Sequence, residues 1–189
     1  IMRQSSTDQL HPSLGTPCSV VGNQHTPTHY GNPQSEHAIV RNGVGITDAS
    51  HRGKLRISGV DRATYLQGLV TNDMLKLANG IGMYCAILTP KGKMQSYFRI
   101  FEIDETLIID LDEKAIDTTY KLLKRYLLYG IKATLEDVTS SYGHLAVHGP
   151  LSATLLTKAC DHPLPELDVP NYAKASIATT PLIIVKTDE

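Results

Sequence analysis

The chain has 189 residues, 41% of them hydrophobic, enough to bury the core of one generous domain or two small ones. Its 18 Lys and Arg nearly balance 19 Asp and Glu, and a net charge of -1 carries no electrostatic footprint for nucleic acid or an anionic membrane. No apolar run approaches the roughly 18 residues of a membrane span, no basic-then-apolar leader opens the sequence, and cysteines at 18, 85 and 160 fit neither a disulfide framework nor a zinc pattern, so a reducing cytoplasm is the expected setting.

Residues 1–31 are rich in Ser, Thr, Gln, His, Pro and Gly and read as a polar N-terminal arm; residues 32–189 read as the domain proper. Asn32 and Pro33 form a cap and first-turn pair for a short helix, with Ala38 and Ile39 as its apolar face and Gly43 as its stop. In "KLRISGV", Leu55 and Ile57 alternate with Lys54, Arg56 and Ser58, the period of a half-buried strand. Asp61 is placed to cap the next helix, which carries Tyr65, Leu66, Leu69 and Val70. Then comes a hairpin: "MYCAIL", a Thr89-Pro90-Lys91-Gly92 turn, and a strand with Met94, Ser96, Phe98 and Ile100 on one face and Gln95, Tyr97, Arg99 and Phe101 on the other.

"LIID" continues the sheet after an Asp104-Glu105 turn, and Asp112 is placed to cap the longest helix, with Ile116, Tyr120, Leu123 and Leu127 at helical spacing before Gly130. "IKATLEDV" and "GHLAVHG" read as strands, Pro150 opens a helix with Leu151, Leu155 and Leu156 inward, and a proline-rich loop leads to "LIIVKT". A sequence that stops just after such a strand reads as an incomplete domain. This order predicts an α+β fold with mainly antiparallel pairing.

Few residues announce chemistry. His25 and His29 flank Pro27 outside any helix and are better read as solvated loop histidines than as metal ligands. Ser50 and His51 are adjacent and would point to opposite faces of a strand, so a structural or substrate-contacting pair is favoured over a nucleophile and base. Cys85 has no neighbouring cation to activate it and reads as core. No glycine-rich phosphate loop is present. Asp110 ends an apolar strand, where it either enters a pocket or caps the next element; spacing alone favours capping. No catalytic residue and no metal site is expected.

"GITDASHRGKLRISGVDRATYLQGLVTND", "GMYCAILTPKGKM" and "HLAVHGP", in this order and spacing, resemble the N-terminal folate-binding region of the glycine-cleavage T-protein (aminomethyltransferase) superfamily. "HTPTHYG" and "SEHAIVRNGVGITDASH" resemble the start of the T-protein itself, so the similarity runs from about His11 to the end. It implies interlocked, mainly antiparallel α+β subdomains around a tetrahydrofolate pocket, with C-terminal domains absent from this chain. In that superfamily the strand after the hairpin turn carries an aspartate that supports methylene transfer, and a carboxylate there can stabilise iminium character or manage a proton. The matching position here is Ser96, and the acid that commonly comes next is replaced by Tyr97.

"KGKMQSYFRIF" is therefore more similar to the YgfZ branch, folate-binding proteins linked to maintenance of iron-sulfur enzymes and to tRNA modification. The resemblance implies a pocket of Arg52, Tyr84, Ser96, Phe98 and Asp110 for tetrahydrofolate or a derivative, with Arg52 where the T-protein usually has methionine and Asp110 where it has asparagine. The implied partners are a reduced folate and iron-sulfur proteins or their assembly factors, with no direct nucleic-acid binding and no membrane. Two other readings stand beside it: a T-protein-like aminomethyltransferase whose acid comes from elsewhere, and a protein-interaction scaffold that has lost the ligand.

Overall fold

A computed structural model describes residues 17–21 and 24–188. The chain is mixed α+β and divides into two compact units, each with its own segments. The first runs to Arg52 and adds Thr139–Leu164 and Ser176–Thr180; the second comprises Gly53–Val138, Pro165–Ala175 and Pro181–Glu189.

In the first unit, β1 (Cys18–Val21) pairs antiparallel with β2 (Gln24–Pro27), within the stretch whose composition reads as an arm; the rest of that arm up to residue 16 lies outside the described residues. Helix α1 (Pro33–Asn42) begins where the Asn32-Pro33 pair predicts it: the Asn32 side chain accepts from the N–H groups of Gln34 and Ser35 at 2.9 and 3.2 Å. Its expected apolar face is not buried, however, and Ile39 is exposed. Strand β3 (Gly45–Asp48) pairs antiparallel with β9 (Leu145–His148), and α4 (Ser152–Ala159) comes after it with Leu151 exposed rather than inward.

The second unit is built on a five-stranded antiparallel sheet in the order β5-β6-β7-β4-β8. Its strands are β4 (Gly53–Ser58), β5 (Gly82–Leu88), β6 (Met94–Ile103), β7 (Thr106–Leu111) and β8 (Thr134–Asp137). One face is apolar: Leu55 and Ile57, Cys85 and Ile87, Phe98 and Ile100, Leu107, Ile109 and Leu111 are buried there with Leu135. Helices α2 (Arg62–Gln67) and α3 (Ile116–Tyr126) complete that core through Leu66, Ile116 and Leu123. Burial pushes the Cys85 thiol up to about 11, which fits the reading of this cysteine as packing rather than nucleophile.

Local chemistry explains most of the connections. The hairpin turn closes with Gly92 at φ 76 and its N–H on the Thr89 carbonyl at 2.9 Å, and a bulge between Ile87 and Leu88 sets the alternation of β6 from Ser96 onward. Asp112 accepts from the Lys114 N–H at 2.9 Å and caps a 3-10 turn that feeds α3. Asp61 departs from expectation: it sits at the head of α2 but makes no side-chain cap, and its carboxylate instead accepts the Lys132 N–H at 2.7 Å.

The proline-rich segment after α4 is not all loop, because β10 (Tyr172–Ile177) pairs with β11 (Thr180–Val185). Their turn places Ala178 and Thr179 at φ 49 and 65 without a glycine. The Asp161 carboxylate accepts from both of their N–H groups at 3.1 Å, which fixes a backbone the turn residues alone disfavour.

Gly59 is a backbone position tightly constrained by its surroundings. It has φ 108, and a Cβ there would lie 2.2 Å from the Lys132 carbonyl oxygen and 2.9 Å from the Ala133 Cα. Gly130, at φ 95, has open space around it. Gly59→Ala is expected to lose about 3 kcal/mol in urea unfolding, against about 1 kcal/mol for Gly130→Ala, which meets only the left-handed conformation. Equal losses would mean the Lys132 segment relaxes freely.

Candidate functional site

The opposite face of the five-stranded sheet carries a charged row, with buried Phe101 and Ile108 in the row beside it. Register places Tyr84 of β5 across from Arg99 of β6, Arg99 across from Asp110 of β7, and Asp110 across from Lys54 of β4. These four residues form one row across four strands. Asp110 Oδ1 accepts from Lys54 Nζ at 2.9 Å, and Oδ2 accepts from Arg99 Nη2 at 2.6 Å and Nε at 3.0 Å. All three are buried, with Arg99 5% and Asp110 4% exposed.

At the β5 end of the row stand two tyrosines. Tyr97 is the diagonal neighbour of Tyr84, and their rings stack with centroids 5.8 Å apart and planes within 5°. Tyr97 is 53% exposed, so its ring is open to solvent. The Tyr84 hydroxyl donates to Asp188 Oδ1 at 2.7 Å, and that hydrogen bond, with help from the Arg99 charge, holds the Asp188 carboxyl below its usual value.

Of the five residues implied as one pocket, the four in the second unit divide between the two faces of its sheet. Tyr84 and Asp110 share the face with the charged row. Ser96 and Phe98 face the core: Phe98 is fully buried among the apolar side chains, and the Ser96 hydroxyl bonds the Thr119 hydroxyl of α3 at 2.6 Å. Arg52 belongs to the first unit. Asp110 does not cap a following element, as spacing suggested, but pairs in mid-sheet. The residue of the "QSY" string that points to the tyrosine and ion-pair row is Tyr97, not Ser96.

Sequence reasoning missed Lys54 and Arg99 as site residues. The signal was present in parity: Arg99 shares a face with Tyr97, and Lys54 alternates with Leu55, so both charges had to meet the face opposite the core. Ser50, the other candidate, is buried in the first unit, where its hydroxyl accepts the His144 N–H at 3.0 Å. Among the described residues no cluster of three or more His, Cys, Asp or Glu could hold a metal ion, and no helix is long and apolar enough to cross a membrane.

A flat, half-exposed tyrosine pair beside a charged row suits a ligand with an aromatic plane and polar edges. The family model of the GCVT N-terminal domain matches residues 8–188. An aminomethyltransferase from Chlorobium luteolum is 27% identical over 179 residues, 94% of this chain and 48% of that protein. One from Shouchella clausii is 29% identical over 160 residues, 84% of this chain and 43% of that protein. The chain thus spans about half the length of the curated relatives it matches. The crystal structure of glycine cleavage system aminomethyltransferase T from Bartonella henselae superposes with a TM-score of 0.75 at 19% identity, over 87% of this chain and 45% of that one, a likeness of fold.

Removing the central carboxylate takes from two buried cations the acceptor they share. Asp110→Asn is expected to destabilise the protein by about 3 kcal/mol in urea unfolding. Glu136→Gln, which breaks the half-exposed Arg56–Glu136 pair on the same sheet, is expected to change stability by less than about 1 kcal/mol. Similar small losses for both would show that water reaches the Lys54–Asp110–Arg99 row.

Proposed function

The chain belongs to the GCVT N-terminal domain family, and from that premise we propose that it binds tetrahydrofolate or a derivative on the charged-row face of its five-stranded sheet and does so without aminomethyl transfer. One observation carries the second half of this reading. The hairpin strand holds Ser96 where the family resemblance implies the aspartate and Tyr97 where it implies the following acid, and the Asp110 carboxylate already accepts from two cations. A carboxylate so engaged orients strands and donors; it does not stand free to manage a proton at a reacting centre.

In this reading Tyr84 and Tyr97 supply the aromatic surface, and Asp110 and Arg99 set the charge beneath it. Arg52 is assigned to the same ligand from the family resemblance alone. Ser96 and Phe98 support the site from behind through the core. The finer assignment is to the YgfZ branch, an accessory role in iron-sulfur protein maintenance and tRNA modification, with iron-sulfur proteins or their assembly factors as partners.

The names of the relatives favour a second reading, a T-protein-like aminomethyltransferase. It needs an acid from outside the row described above.

Calorimetric titration of the full-length protein with tetrahydrofolate is expected to show saturable binding, weakened by roughly tenfold or more in Tyr84→Ala and by less than about twofold in Ser96→Ala. With an aminomethyl-lipoyl donor, no methylene transfer is expected. Transfer by the unaltered protein would establish the second reading, and absence of any binding would leave a scaffold that kept the fold and lost the ligand.

A further inference from the structure

We infer that the surface formed by the end of α3 and the loop after it docks an acidic protein segment bearing apolar side chains. This proposal does not rest on the folate reading and lies on a different part of the second unit.

The observation is a group of exposed apolar side chains that do not join the core of the second unit. Leu123 of α3 is fully buried and Leu127 packs against the core, which completes the helix's inward stripe. The residues beyond it have no such role: Leu128 is 65% exposed and Tyr129 fully exposed, with Tyr126 also on the surface. Val60, 76% exposed, belongs to the adjoining loop. That loop is tied to this one by the Asp61 N–H on the Lys132 carbonyl at 3.2 Å and the Lys132 N–H on the Asp61 carboxylate. Four large apolar side chains on a helix end and two joined loops exceed the isolated exposures normal for a soluble surface.

The charges on the last turns of α3 and the loop after it are basic, beside the Asp61 carboxylate that accepts the Lys132 N–H. Residues 118–135 contain Lys121, Lys124, Arg125 and Lys132 and no Asp or Glu, in a chain whose net charge is -1. All four are exposed, and none pairs with a carboxylate among the described residues. Tyrosine and aliphatic anchors within a basic rim complement a segment that presents apolar residues between carboxylates. A nucleic acid has no use for Val60 and Leu128, and a near-neutral protein gains little long-range attraction to an extended polyanion or an anionic bilayer.

The test titrates the full chain with a synthetic peptide of repeated Glu-Glu-Leu-Phe, a matched peptide of repeated Glu-Glu-Ser-Ser, oligouridylate, and phosphatidylserine vesicles. The Leu-Phe peptide is expected to bind most tightly. Its affinity should fall roughly tenfold in Lys124→Glu/Arg125→Glu and, independently, in Leu128→Ser/Tyr129→Ser. Both variants change exposed side chains only, and an unchanged thermal transition checks that they fold. Failure of the Leu-Phe peptide to bind, equal binding of the Ser peptide, affinity unaltered in either variant, or tighter binding to oligouridylate or vesicles would each overturn the proposal.

Discussion

The five-stranded sheet is organised around one buried carboxylate. Asp110 on β7 accepts from Lys54 on β4 and Arg99 on β6, so a single side chain ties three adjacent strands on the side away from the core. Sinking two cations and an anion into a protein is unfavourable unless each charge is met by another at hydrogen-bond distance, and here each is. The arrangement acts chiefly on register. A slip of one residue in β4 or β6 would turn Lys54 or Arg99 into the face occupied by Leu55, Phe98 and Ile100, where no partner waits.

That constraint separates the two faces of the sheet by role. The apolar face meets α2 and α3 and holds the second unit together, and even the Ser96–Thr119 hydroxyl pair on it is spent internally. The opposite face is left to present Tyr84 and Tyr97 above the ion-paired row. A strand residue therefore joins the core or the charged row according to parity, and neighbours in sequence such as Ser96 and Tyr97 have different surroundings. A carboxylate at position 96 would face Thr119 and the core, whereas one at position 97 would face the tyrosine and ion-pair row.

What the sequence made legible was local. The Asn32 cap, the Thr89–Gly92 turn, the alternation of β6 from Ser96 onward and the stripe of α3 depend on residues within a few positions of one another and appear as expected, whereas Met94, expected on the Ser96 face, pairs with Leu88 beyond the bulge and is exposed. What stayed hidden depended on partners far along the chain. Lys54 looked like the solvent side of a half-buried strand until Asp110, 56 residues on, neutralised it. The β10–β11 hairpin has no glycine or asparagine in its turn because Asp161, 17 and 18 residues away, supplies the acceptors. Asp61 had the form of a helix cap, but Lys132 took its carboxylate. The resemblance carried the family, and it grouped Ser96 and Phe98 with Tyr84 because a string match records positions and not the side of the sheet each one faces.

Ligand binding at the tyrosine face of the sheet, rather than the serine face, is the point on which the functional reading turns. Fluorine NMR of fluorotyrosine-labelled protein during a tetrahydrofolate titration reads this directly, because Tyr84 and Tyr97 lie on that face while Tyr65 is buried on the core side with its hydroxyl on the Leu123 carbonyl. Saturable shifts are expected at Tyr84 and Tyr97 with Tyr65 unmoved. Saturation with Tyr84 and Tyr97 unchanged, or with Tyr65 shifting in their place, would contradict it.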